Sequence, residues 1–300
     1  MIQKMLISQT AYSIPAILHL PHDSSPKLPT DASLGCFSAD SDSDVLPSPA
    51  GFPAVILCHG TGSHKDEVGN LFQRLADTLA CHGIASVRFD FAGCGDSQAP
   101  QQTLTFLGEV SDTKAVYDML LHHPAIDPQR IGILGFSQGA RVMAEFLHVT
   151  ANCTAKHIGS VPPITTAVSW SGACHNGPGV FHEWYSLYYE EAIQNSYAVI
   201  PMGWRDDLLV SQQWFDEVRN TRPMEGFTLF SGPVLAIAGT DDAIVPCEHA
   251  REILTHCSHP DSQALILPGA DHTFCVLTQD QTFAEQVLTA TTDWFCRHLK

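Results

Sequence analysis

From Phe52 onward, short apolar segments alternate with amphipathic stretches of helical period, a rhythm that few folds accommodate. A brief apolar run closed by a turn signal reads as a strand buried on both faces, and helices between successive strands require those strands to lie parallel. The expected strands cover residues 54–58, 85–91, 131–136, 166–170, 234–238 and 264–267. Val68, Leu71, Phe72, Leu75 and Leu79 recur at helical spacing, and Gly83 follows as the expected C-terminal cap. Val110, Val116, Met119, Leu120 and Leu121 mark a second helix, ended before Pro124. A last helix over about residues 281–298 turns Phe283, Val287, Leu288, Thr291 and Phe295 to one side. The two segments before Pro21 are expected to enter the sheet as an antiparallel pair. The fold class is therefore α/β, a mostly parallel sheet flanked by helices.

Two stretches break the rhythm. Residues 21–51 are rich in Ser, Pro and Asp, the composition of a flexible surface loop inserted between strands. Residues 174–229 fall between two expected strands and are too long for a simple connection. They carry Phe181, Trp184, Tyr185, Tyr188, Tyr189, Tyr197, Trp204, Trp214 and Phe215. An inserted cap is the expected use of this stretch, with extra packing on the sheet edge as the alternative. The domain reading is thus one core, 1–173 with 230–300, and one insertion.

Fifteen Lys and Arg against 32 Asp and Glu give a net charge of −17, which argues against a phosphate backbone or an anionic lipid surface as partner. Part of that acidity is local, in Asp23, Asp31, Asp40, Asp42 and Asp44. Ten cysteines are scattered without any C-x-x-C pair, and Cys58, Cys81, Cys275 and Cys296 sit in apolar contexts where a free thiol behaves as a small hydrophobe. The first twenty residues lack the pattern of a signal peptide, and no apolar run is long enough to span a bilayer. A cytoplasmic, reducing location is expected.

The chemistry-bearing residues stand at the ends of expected strands. Gly135-Phe136-Ser137-Gln138-Gly139 follows an apolar strand and precedes a helical run, the strand–turn–helix setting of a nucleophile elbow. A turn that tight excludes side chains at both glycines and presents the Ser137 hydroxyl at a helix N-terminus, where developing negative charge is favoured. A serine hydroxyl is a weak nucleophile, so it requires a base in hydrogen-bonding reach and a group that orients that base. Asp242, in Gly239-Thr240-Asp241-Asp242, lies just past one strand and is the expected acid; Asp241 is expected to cap the turn, and the reverse assignment is the alternative. His272, in Pro268-Gly269-Ala270-Asp271-His272, lies past the next strand and is the expected base.

A carbonyl under attack also needs donors for its oxygen. The backbone N–H of Gln138, directly after Ser137, is one candidate, and that of Thr61 in Cys58-His59-Gly60-Thr61-Gly62 is the other. His59 is expected to order that loop. Asp96 is expected to hydrogen-bond its own turn. His122-His123 and His256-Cys257-Ser258-His259 lack metal-ligand spacing, so no metal is expected.

Taken together, Cys58–Gly62, Arg88-Phe89-Asp90-Phe91-Ala92-Gly93-Cys94-Gly95-Asp96-Ser97, 135–139, 239–246 and Asp271-His272 resemble the α/β-hydrolase superfamily, over about residues 52–300. Within it the chain is similar to bacterial cinnamoyl/feruloyl esterases and serine aminopeptidase-like hydrolases. The resemblance implies an eight-stranded sheet, hydrolysis of a small-molecule carboxylic ester through an acyl-enzyme, no cofactor, and an inserted cap that shapes the pocket. Two departures stand out: the 21–51 insertion, and a threonine after His59-Gly60 where the cinnamoyl esterases carry an aromatic. Amide hydrolysis by an aminopeptidase or acyl-peptidase, with Glu183, Glu190 or Glu191 receiving the substrate's amine, thioester hydrolysis, and a non-catalytic binding protein on the same fold are the competing expectations.

Overall fold

In the computed structural model, which describes residues 1–21, 51–155, 163–203 and 205–300, the alternation becomes a sheet with helices on both sides. The strands in chain order are β1 (Ile2–Ser8), β2 (Ser13–His19), β3 (Phe52–Cys58), β4 (Ala85–Phe89), β5 (Ile126–Phe136), β6 (Thr166–Trp170), β7 (Tyr197–Ile200), β8 (Leu208–Ser211), β9 (Val234–Gly239) and β10 (Gln263–Leu267). The helices are α1 (Leu71–Cys81), α2 (Phe106–His122), α3 (Gln138–Ala155), α4 (His182–Asn195), α5 (Gln212–Asn220), α6 (Pro223–Leu229), α7 (Glu248–His256) and α8 (Thr282–Leu299). Eight strands form one sheet in the order β1-β2-β4-β3-β5-β6-β9-β10. The pairs β1–β2 and β2–β4 are antiparallel, so the N-terminal segments do lead into the sheet as a hairpin. From β4 to β10 all pairing is parallel.

Side-chain alternation along the central strands divides the core. On one face Ile56, Val87, Ile131 and Ile133 pack with Val116, Leu120 and Phe146 of α2 and α3. On the other, Val55, Leu57, Leu134 and Trp170 pack with Leu75, Leu79, Val287 and Phe295 of α1 and α8. Each such fully buried side chain contributes roughly 1.5–3 kcal/mol relative to exposure. Gly83 ends α1 as expected: it is left-handed, φ 75°, its N–H donates to the Ala80 carbonyl, and that of Ile84 donates to Leu79. This double closure satisfies carbonyls that the helix itself leaves open.

Two strand boundaries differ from expectation. β4 stops at Phe89, because the N–H of Asp90 makes a last bond to the Pro15 carbonyl and that of Phe91 turns to the His59 ring. β5 starts at Ile126, earlier than its apolar run, since Asp127, Pro128, Gln129 and Arg130 precede the buried part. The expected 21–51 loop lies, for residues 22–50, outside the described residues, as does Trp204.

Between β6 and β9 the chain forms α4, the antiparallel pair β7–β8, α5 and α6. Its aromatics pack on one another: Phe181 meets Trp184 at 5.3 Å and Trp214 at 5.2 Å between ring centroids. Ser211 caps α5 by accepting from the Trp214 N–H at 3.0 Å and donates to the Leu104 carbonyl at 2.6 Å. Both ends of this segment are held by Arg141 of α3. Its fully buried guanidinium donates to the carbonyls of His175 at 2.6 Å, Gly177 at 2.8 Å and Val218 at 2.8 Å, and to the Thr221 hydroxyl at 3.1 Å. Burial lowers its pKa to about 10, which leaves it charged at neutral pH. Among the described residues no helix is long and apolar enough to cross a membrane.

Candidate active site

Three parallel strands end at one rim, and each hands a side chain to the same point. β5 runs into Ser137, whose backbone is forced to φ 53° before α3 begins. Such a conformation costs a non-glycine residue of order 1 kcal/mol, and it is held by the Ser137 N–H donating to the Trp170 carbonyl at 2.8 Å. The flanking glycines are required sterically. A Cβ on Gly135 would stand 2.3 Å from the Gly139 carbonyl oxygen, and one on Gly139 would stand 2.0 Å from that of Cys58.

Asp242 follows β9. Its Oδ1 accepts from the N–H groups of Ile244 and Val245, each at 2.8 Å, which leaves Oδ2 to meet His272 Nδ1 at 2.8 Å. An ionised carboxylate accepts only, so the imidazole carries its proton on Nδ1 and turns the lone pair of Nε2 toward the Ser137 hydroxyl, 3.1 Å away. The Asp242 side chain is fully buried and that of His272 is 12% exposed, so little water competes for either bond. Asp241 is exposed and bonds Thr240, so the alternative acid is not brought to the imidazole.

The loop that carries His272 is fixed independently of this contact. Ser171, buried and left-handed at φ 42°, donates its hydroxyl to the His272 carbonyl at 3.0 Å. Asp271 accepts from the N–H groups of Thr273 at 2.9 Å and Cys275 at 2.7 Å, and the buried Phe274 ring packs against Trp170. A hydroxyl, an imidazole and a carboxylate in this relation allow the imidazole to accept the hydroxyl proton as the oxygen attacks an electrophilic carbon.

The loop after β3 lies beside the elbow, where the Thr61 hydroxyl donates to the Gln138 side-chain carbonyl at 2.9 Å. The two candidate donor N–H groups therefore sit on segments that are tied together. His59 orders the loop as expected. Its Nε2 accepts from the Phe91 N–H at 3.1 Å, which places the proton on Nδ1, facing the Gly60 carbonyl at 2.8 Å. Burial lowers the pKa of this ring, so it is neutral.

Glu67 carries no sequence signal of its importance. It adopts φ 60° and ψ 172°, a region open almost only to glycine, while its carboxylate accepts from the Gly60 N–H at 2.6 Å, the Ser63 hydroxyl at 2.7 Å and the Val68 N–H at 2.7 Å. Asp96 corrects a sequence expectation. Its carboxylate bonds Lys65 at 2.7 Å and its N–H donates to Asp90 at 3.0 Å, so the turn is organised by the Asp90 carboxylate instead.

A second carboxyl near the elbow has consequences for stability. Glu109 of α2 is completely buried, and that burial pushes its pKa up to about 8, with Asp112 and Glu217 adding to the rise and the hydrogen bond from Gln138 opposing it. The unfolded chain releases this proton near the ordinary value of 4.5, before the folded chain does. Native stability is thus fully present below that pH and falls until the folded group ionises, by on the order of a few kcal/mol. Glu109→Gln is expected to flatten the decline in Tm between about pH 5 and 8. Parallel pH profiles for variant and wild type in thermal melts would show that Glu109 ionises normally.

A model of the alpha/beta hydrolase family matches residues 55–286. No curated protein sequence matches the chain. Among solved structures, Est1E from Butyrivibrio proteoclasticus with bound ferulic acid superposes with a TM-score of 0.69 at 17% identity, covering 98% of each chain. The alpha/beta hydrolase GrgF from Penicillium sp. sh18 gives 0.72 at 14% identity, covering 100% of this chain and 99% of that one. Dienelactone hydrolase from Anabaena variabilis gives 0.60 at 15% identity with the same coverage. These likenesses carry the fold, and the family model spans most of the sequence from β3 to α8, so the chain belongs to the alpha/beta hydrolase family.

Proposed function

We propose that the protein is a serine carboxylic-ester hydrolase that acts through an acyl-enzyme on small acyl or aryl esters, cinnamoyl-type esters included. The observation that carries this reading is the unbroken line from Ser137 Oγ through His272 to the buried Asp242 carboxylate. In the proposed cycle the Ser137 hydroxyl attacks the ester carbonyl as His272 takes its proton, and the backbone N–H groups of Thr61 and Gln138 receive the oxyanion. His272 then returns the proton to the leaving alkoxide, and a water activated by the same imidazole releases the acid. Asp242 orients the ring and stabilises the imidazolium. Residues 174–229 act as the cap, whose aromatic side chains suit an aryl group, in keeping with the ferulic acid seen in Est1E.

A peptidase of the same mechanism needs a carboxylate free to receive a substrate amine. Glu191 accepts from the Val199 N–H at 3.2 Å and Glu190 from the Gln194 amide at 3.0 Å, so both also serve the local fold of α4 and β7. A reducing, cytoplasmic location belongs to the same proposal, supported by the buried free thiols of Cys58, Cys94 and Cys174. A fluorophosphonate probe should label one residue, Ser137, as read by peptide mass mapping. p-Nitrophenyl esters of short and aromatic acids should turn over much faster than aminoacyl anilides. An unlabelled protein would remove the serine mechanism, and faster anilide turnover would replace the esterase reading with the peptidase one.

A further inference from the structure

The Gln138 side chain is held at both ends. Its Oε1 accepts from the Thr61 hydroxyl at 2.9 Å, and its Nε2 donates to Glu109 Oε2 at 2.5 Å. The amide thus bridges a carboxyl of α2 and a hydroxyl of the loop after β3, and a carboxyl can hold its end of the bridge whether or not it carries a proton. Nothing else explains the residue well. Glu109 is buried in α2 and, among the described residues, has no Lys, Arg or His in ion-pair contact, so an apolar side chain there costs the fold less.

We propose that Glu109 is the positioning residue of the oxyanion site: through the Gln138 amide it ties the loop bearing the Thr61 N–H to the elbow bearing the Gln138 N–H, and so sets the spacing of the two donors. The inference rests on the reading of Ser137 as the nucleophile. Glu67 anchors the same loop one residue earlier, at the Gly60 N–H, so the loop is held against α3 on one side and against its own continuation on the other. Donors fixed at the right separation act where charge develops, so a slackened pair loses transition-state stabilisation and leaves ground-state binding in place.

Two substitutions separate position from charge and packing. Glu109→Gln keeps an oxygen that accepts from Gln138 Nε2 and should hold kcat on a p-nitrophenyl ester within about threefold of wild type. Glu109→Leu keeps the volume and removes the acceptor; kcat should fall about 10- to 100-fold with KM within about twofold, less than the loss of a whole oxyanion donor. The affinity for a trifluoromethyl ketone, which mimics the tetrahedral adduct, should weaken by the same factor. Thr61→Val breaks the far end of the brace and should reproduce the pattern even if the leucine variant does not fold. Wild-type kcat in Glu109→Leu or in Thr61→Val, or equal losses in Glu109→Leu and Glu109→Gln, would overturn the proposal. Wild-type protein that neither hydrolyses esters nor takes up the fluorophosphonate probe would instead overturn the serine reading on which it rests.

Discussion

Replacing Ser137 by alanine is expected to leave the fold intact and lower the hydrolysis of short p-nitrophenyl esters by about 10³-fold or more, a loss of at least about 4 kcal/mol in transition-state stabilisation. The hydroxyl is the one atom removed, Ser137 is 8% exposed, and its backbone is held by the Trp170 carbonyl whatever side chain it carries. Some rate above background should survive, because the Thr61 and Gln138 N–H groups still polarise a bound carbonyl for attack by water. Circular dichroism and Tm would verify that the variant folds. Turnover unchanged from wild type would mean that the alignment with His272 has no chemical role.

The second large effect concerns the backbone that presents this serine. Gly139→Ala places a methyl group 2.0 Å from the Cys58 carbonyl oxygen and 2.5 Å from that of His59. Both obstacles are main chain, so no rotamer change relieves them, and either β3 or the start of α3 must move. A cost of at least about 3 kcal/mol is expected, at the upper end for overpacking, which lowers Tm by roughly 6–12 °C in a domain of this size. Activity should fall by more than the folded fraction does, because the displaced segments are those that carry Ser137 and Thr61. Gly83→Ala is the control. Unlike the helical Gly139 it is left-handed, φ 75°, but nothing stands within 4 Å of the added carbon, so its cost should be confined to about 1 kcal/mol of conformational strain. Equal melting temperatures for the two variants would show that the close approach at Gly139 is not what limits substitution there.

What the sequence made legible was whatever depends on one segment at a time. The strand ends that deliver Ser137, Asp242 and His272 are short apolar runs followed by turn chemistry, and such a pattern can be read without knowing what lies beside it. The C-terminal cap of α1 at Gly83 is equally local. The boundary of β4 was not, because it is set by Pro15 and His59, which are remote in sequence. Nor was the organiser of the Gly93–Ser97 turn. Asp90 and Asp96 both meet the Lys65 ammonium at 2.7 Å, and what singles out Asp90 is the bond it accepts from the Asp96 N–H, a contact made from the end of β4 and not from within the turn. Glu67 and Glu109 went unread for the same reason. A lone glutamate in a helix or loop looks solvent-exposed in one dimension, and these two are buried by elements contributed from elsewhere in the chain.

The four bonds of Arg141 gather residues 175–177 and 218–221, the two feet of the segment between β6 and β9, onto a single side chain of the helix that starts at Ser137. Whatever lies between those feet spans a gap of constant width. Between them Ser211 and the Leu209 N–H add ties of their own to Leu104 and Gln101, and a protease cut inside the segment should leave two fragments that stay clipped to the body. One cation thus fixes the separation of two points with residues 178–217 between them.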